Sequence, residues 1–96
     1  MSLEQQLRIY QVKKGRIEEW VDFWRSQVLP TRRRYGFTVA GPWVIHDESR
    51  FVWIVGHENF SEANAAFYNS PERTALEPKI AEYLDKVEAW MLDSVA

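Results

Sequence analysis

The sequence predicts an α+β domain in which an antiparallel sheet carries helices on one of its faces. Three observations predict it. Residues Phe37 to His57 read as two strand-like runs, Phe-Thr-Val-Ala-Gly-Pro-Trp-Val-Ile-His and Arg-Phe-Val-Trp-Ile-Val-Gly-His, around the polar turn Asp47-Glu48-Ser49. Ahead of them, Ile17, Trp20, Val21, Trp24 and Val28 recur at i, i+3, i+4, i+7 and i+11, which lines one side of an α-helix. Shorter β-like runs open and close the chain, so strands bracket the helical segments at both ends.

In chain order, Met1 to Gln5 reads as a frayed lead-in and Gln6 to Lys13 as the first strand. Its alternation puts Leu7 and Ile9 on one face and Arg8, Tyr10 and Val12 on the other. Lys14-Gly15 breaks it and the first helix follows. Glu18 and Glu19 in its first turn, and Arg32, Arg33 and Arg34 near its end, suit the helix dipole. Pro30 lacks an N–H and predicts a kink, while Gly36 stops the helix at C′. In the hairpin, Phe37, Val39, Trp43, Ile45, Phe51, Trp53 and Val55 can share one face if Trp43 faces Trp53. Ala40, Val44, Val52 and Ile54 then share the other. A turn one residue tighter would slip that register and flip one strand's side chains. Ser61 is a candidate N-cap for Glu62 to Asn69, and Ser70-Pro71-Glu72 is a second helix start with Ser at the cap and Pro at N1. Pro78 is expected to interrupt again, so that this stretch forms two short helical pieces and not one rod, and Lys86 to Leu92 closes as the last strand. The order β-α-β-β-α-β is the ferredoxin-like, split βαβ arrangement.

A hairpin apolar on both faces needs a cover on both. The helices of one small domain cover one, so the other face is expected to meet a second copy of the chain. Ninety-six residues at 46% hydrophobic, with five Trp, form one domain, residues 1–96, with a real core. The net charge of -2 argues against nucleic acid as the main partner. No apolar run approaches the roughly 20 residues of a membrane span, and no signal-peptide pattern is visible. The absence of Cys excludes disulfides and thiolate sites and suits the reducing cytoplasm, where the chain is expected to reside.

Several segments resemble one known group. Leu-Arg-Ile-Tyr at 7–10, Lys-Gly-Arg at 14–16, Trp24 through Leu29-Pro30, Tyr35-Gly36-Phe37, Gly41-x-Trp43 and Arg50-Phe51-Val52-Trp53 are together similar to the NIPSNAP-like proteins. That family sits within the dimeric α+β barrel superfamily. The resemblance implies a ferredoxin-like subunit whose sheet packs on its partner's as a barrel, with helices outside. Superfamily members include cofactor-independent monooxygenases, muconolactone-isomerase-like enzymes, haem-degrading enzymes and proteins of unknown activity. Where a site is known among them, it lies between a subunit's helices and its own sheet.

The chemistry-bearing residues are few. His46 and His57 are eleven residues apart on opposite arms of the hairpin, too far at roughly 3.3 Å per residue to share a metal. No metal site is therefore expected, and no cofactor. His57 shares a predicted face with Trp53 and is a candidate general acid or base, against the blander reading of a hydrogen-bonded strand end. Arg8 and Tyr10, on one face of the first strand, could orient a carboxylate, enolate or phenol; otherwise they belong to a barrel end or an intersubunit ion pair. Trp24, Trp43, Trp53 and Trp90 could line a pocket for a flat ligand or simply fill core and interface. Arg32-Arg33-Arg34 could bind an anion, but three consecutive helical positions fan around the axis instead of forming one fork, so the run reads as a solvated helix end. Haem-degrading relatives carry a histidine ligand on a helix, and neither histidine falls on one here; Tyr68 and Tyr83 are the remaining candidates for iron.

The leading expectation is a homodimer binding a small apolar or aromatic molecule in its helix–sheet cleft, acting by proton transfer or oxygenation. Arg8, Trp43 and Trp53 would bind, with His57 or Tyr10 as proton carrier. A non-catalytic scaffold dimer, its cleft filled by Trp and Phe, is the alternative, and a haem protein the third.

Overall fold

The computed structural model describes residues 2–95. Their order is β1 (Glu4–Val12), α1 (Ile17–Phe23), a π-helical turn (Trp24–Val28), α2 (Leu29–Arg34), β2 (Thr38–Ile45), a 3₁₀ turn (His46–Glu48), β3 (Arg50–His57), α3 (Phe60–Tyr68), α4 (Pro71–Tyr83) and β4 (Leu84–Leu92). The strands form one sheet in the order β2-β3-β1-β4, every neighbouring pair antiparallel. This is the expected α+β, ferredoxin-like fold. The helices lie on one face of the sheet, over Tyr10, Val12, Phe51, Trp53 and Val55, all buried.

β1 alternates as its sequence says, with Arg8, Tyr10 and Val12 buried and Leu7 and Ile9 on the opposite face. It is longer than expected. Glu4 pairs with His57 and Gln5 with Leu92, so the strand takes in the last two residues of the segment read as frayed, of which Met1 lies outside the described residues. Glu4 does more: its Oε1 accepts from the backbone N–H of Phe60 at 2.8 Å, capping α3 where Ser61 was expected to.

The expected kink at Pro30 is replaced by a wider turn just before it. Leu29 N–H donates to Trp24 O, an i→i−5 bond, and α2 continues with Pro30 in its first turn. The widening has a consequence for packing. Trp20, Trp24, Val28 and Arg32 all face the core at a four-residue spacing. That spacing drifts by about 40° per step on a 3.6-residue helix, and the π turn takes up the drift. Gly36, at φ +84°, ends the helix as expected. Pro78 does not interrupt α4, because it sits on the exposed side of a continuous thirteen-residue helix. Ser70 caps that helix as expected, its Oγ accepting from Arg73 N–H at 3.2 Å.

Of the two hairpin registers the sequence leaves open, the turn-side half takes the one a residue tighter than Trp43 opposite Trp53. Val39 pairs with Val55 and Ala40 with Ile54, but beyond Gly41-Pro42 the register shifts and Trp43 pairs with Val52, Val44 with Phe51. Gly41, at φ +89°, sits in this irregularity. The shift moves Val44 to the core side and sends Trp43 and Ile45 outward, where they are 52% and 44% exposed. Trp43 therefore does not face Trp53. The outer sheet face combines Leu7, Ile9, Ala40, Trp43, Val52, Ile54 and Trp90, the last 60% exposed, and no helix among the described residues covers it. No helix among the described residues is long and apolar enough to cross a membrane.

Candidate functional site

Because β1 puts every second residue under the helices, Arg8 and Tyr10 point into the space between sheet and helices, and pairing with β3 sets Trp53 beside Arg8. The core-facing row of the first helical segment ends at Arg32. From the other side come Tyr68, at the end of α3, and Arg73, in the first turn of α4. These six side chains border a cavity of about 260 Å³. Trp20, Val28, Phe67, Ile80 and Leu84 supply apolar wall, and Glu77, Ala81, Asp85, Lys86 and Val87 extend the lining along α4 and the start of β4.

Three guanidinium groups converge here. Arg8, 7% exposed, donates from Nε to Tyr10 Oη at 2.8 Å, from Nη1 to Gln6 Oε1 at 2.9 Å and from Nη2 to Tyr68 Oη at 2.8 Å. Arg32, 1% exposed, donates from Nη1 to Asn64 Oδ1 at 2.8 Å and lies 4.1 Å from the centre of the Phe67 ring and 4.7 Å from that of Phe37. Arg73 donates to Glu77 Oε2 at 2.6 Å and stacks 4.7 Å from the Tyr68 ring centre. Among the described residues, only Arg73 of the three forms an ion pair.

Every hydrogen-bond partner of Arg8 and Arg32 is thus neutral. Three further donors in the lining are buried with no acceptor: Arg32 Nε–H and the indole N–H groups of Trp20 and Trp53. The ionisation equilibria follow the same crowding. Burial lowers the Arg32 pKa to about 10, and the Arg8 and Arg73 charges push the same way. Burial also works against the Arg8 charge, but Tyr10 and Tyr68 beside it outweigh that and raise its pKa. Burial pushes the Tyr68 phenol up; Arg8 first, then Arg32 and Arg73, pull it further down, to a net value below that of an ordinary tyrosine.

Of the residues expected in the cleft, Arg8, Tyr10 and Trp53 are there. Trp43 is not, because the Gly41-Pro42 register shift turns it to the outer face. His57 is not either. It lies past the cleft's end, its ring 5.2 Å from that of Phe37 and its Nδ1 accepting from Asn59 N–H at 2.9 Å, the hydrogen-bonded strand end that was the blander reading. His46 sits in the exposed 3₁₀ turn. Trp24 is core and Trp90 is exposed on the outer face. The reading of Arg32 as part of a solvated helix end is corrected, since Arg32 extends the buried row of Trp24 and Val28 by one more step of four. That extension was a usable signal. Nothing in the sequence marked Arg73, and Tyr68 stood out only as a possible iron ligand.

The molecule is a ferredoxin-like α+β domain with an arginine- and tyrosine-lined cleft between its helices and its sheet. No protein-family model matches the sequence, and no curated protein matches it. Solved structures do. It superimposes on a NIPSNAP domain protein from Burkholderia xenovorans with a TM-score of 0.86 at 20% identity, covering 99% of this chain and 96% of that one. A NIPSNAP family protein from Agrobacterium tumefaciens gives a TM-score of 0.85 at 17% identity, over 98% and 94% of the two chains. A protein from Nitrosomonas europaea provisionally described as an antibiotic biosynthesis monooxygenase gives 0.77 at 14% identity, over 97% and 90%. The chain has the NIPSNAP-like fold.

Proposed function

We propose that two copies of this chain pair through the uncovered sheet face and that each helix–sheet cleft binds one small, planar, largely apolar molecule. The observation that carries this reading is the cavity itself. A scaffold that used its aromatic residues only as core would close such a space with Trp and Phe side chains, whereas about 260 Å³ stays open beside Trp20, Trp53 and Phe67. That volume falls just below the usual range of ligand pockets and suits a molecule of one or two rings. Pairing is supported by the outer face, where two Trp and an Ile stand exposed in one apolar field.

The cleft's chemistry suits proton transfer without a cofactor. A phenol and a guanidinium held 2.8 Å apart can stabilise negative charge developing on a substrate oxygen while a proton leaves a neighbouring carbon. In this reading Tyr68, in the phenolate form that the guanidiniums favour, takes up that proton and becomes the phenol, while Arg8 and the Tyr10 phenol hold the substrate oxygen. Oxygenation of an activated substrate belongs to the same reading, supported by the resemblance in fold to the Nitrosomonas protein described as an antibiotic biosynthesis monooxygenase.

The test is binding of 2-naphthol to the wild type and to Ala81→Trp, a substitution at an exposed position of the cleft lining. Thermal stabilisation of the wild type and its loss in the variant are expected. No stabilisation, or stabilisation untouched by Ala81→Trp, contradicts the reading.

A further inference from the structure

We infer that the molecule this cleft selects is an organic acid, an aromatic or short apolar carboxylate whose anionic oxygens are received by Arg8, Arg32 and Arg73. This rests on the reading of the cleft as a small-molecule site and adds what kind of molecule enters it.

The inference comes from an imbalance of donors and acceptors. Arginine has five N–H donors, no acceptor, and a permanent charge at neutral pH. Three of them face one cavity lined by two carboxylates, of which only Glu77 is engaged, by Arg73. A buried charge without a partner of opposite sign is costly, and chains normally supply one from their own sequence. Here fourteen Asp and Glu are available, yet Arg8 and Arg32 are met by a phenol pair, two amide oxygens and aromatic faces. The remaining carboxylate of the lining, Asp85, is exposed and forms no ion pair among the described residues; Lys86 beside it carries the opposite charge.

Arg32 shows the imbalance most clearly. It is 1% exposed, and its Nε–H has no acceptor. A carboxylate bound between the guanidiniums would supply the missing acceptors as charge-assisted hydrogen bonds. Trp20, Val28, Trp53, Phe67, Ile80 and Leu84 give the wall an apolar and aromatic part, which calls for a ring or short chain behind the acid group and disfavours a bare inorganic anion.

The test compares 2-naphthoate, its neutral isostere 2-naphthamide and inorganic phosphate by isothermal titration, on the wild type, Arg32→Met and Arg8→Met. The expected result is that naphthoate binds the wild type at least tenfold more tightly than naphthamide, that phosphate binds more weakly than naphthoate, and that Arg32→Met removes the preference for the acid. Arg8→Met, in a different element, gives a second reading of the same loss. Equal binding of acid and amide overturns this inference and leaves the small-molecule cleft standing. A preference that survives both substitutions overturns it as well. Phosphate binding as tightly as naphthoate makes the site one for inorganic or phosphoryl anions and refutes the carboxylate. If neither naphthalene compound binds, both the inference and the reading beneath it fail.

Discussion

Replacing Arg32 by Met should make the ligand-free protein more stable, although Arg32 is among the most deeply buried residues. Burial and two neighbouring positive charges hold its pKa at about 10. That is two to three decades below the ordinary value, and at about 1.4 kcal/mol per decade the charged form is disfavoured by roughly 3 kcal/mol. With Arg32 only 1% exposed, solvent screening takes little away from that figure. Met keeps a long apolar stem against Phe37 and Phe67. It gives up the bond to Asn64 Oδ1 and the cation–π contacts, together worth about 2 kcal/mol. The balance is a gain of about 1 kcal/mol, or roughly 4 to 8 °C in Tm for a domain of this size. The sign of the pH dependence is fixed too. A cation whose folded pKa is depressed destabilises the fold wherever it is charged, so the penalty holds below about pH 10 and fades as pH rises through that value. The gain in Arg32→Met should therefore be flat from about pH 6 to 9. Thermal unfolding followed by circular dichroism, in buffer free of organic acids, measures it. A variant less stable than the wild type by 1 kcal/mol or more would refute the reasoning, because it would mean the guanidinium is satisfied within the chain.

Other outcomes follow from the same geometry. Trp43→Glu and Trp90→Glu, on the outer face, should halve the mass seen in sedimentation while leaving the fold intact; an unchanged mass removes that face from the interface. Trp53→Glu should unfold the chain instead, since Trp53 is fully buried beneath the helices. Tyr68 should ionise at lower pH than an ordinary tyrosine in an ultraviolet titration, and Tyr68→Phe should remove that early step. Its phenolate contributes stability above the unfolded tyrosine pKa and loses it as pH falls through the folded one, and bound naphthoate should move the step upward by neutralising the arginines. Gly41→Ala should cost about 1 to 3 kcal/mol, because φ is +89° there and an added Cβ would lie 2.7 Å from the Trp43 ring; a neutral result contradicts the register shift.

The fold was legible wherever a period was clean. β1 alternates from Leu7 to Val12 and the first helix carries a continuous apolar row, so each declares both its type and its buried face. The hairpin did not, because it is apolar on both sides. With no polar face to exclude, alternation cannot show whether Trp43 or Val44 points inward, and the two-residue irregularity at Gly41-Pro42 decides it. The helix breaks expected at Pro30 and Pro78 failed for local reasons, one met by a π turn and one by exposure to solvent. Of the site, the strand half could be read: Arg8 and Tyr10 from β1, Trp53 from β3. The helix half was hidden. Arg32 was masked by Arg33 and Arg34, which do face solvent, and Tyr68 and Arg73 meet only because a Ser-Pro turn brings the end of α3 against the start of α4.

The most direct measurement is a crystal structure of the protein with 2-naphthoate. The account requires the naphthalene ring against Trp20, Trp53 and Phe67, and both carboxylate oxygens within hydrogen-bonding distance of Arg8, Arg32 or Arg73. A carboxylate turned toward Lys86 and solvent, with those three guanidiniums still bonded only to Tyr10, Tyr68, Gln6, Asn64 and Glu77, would contradict it.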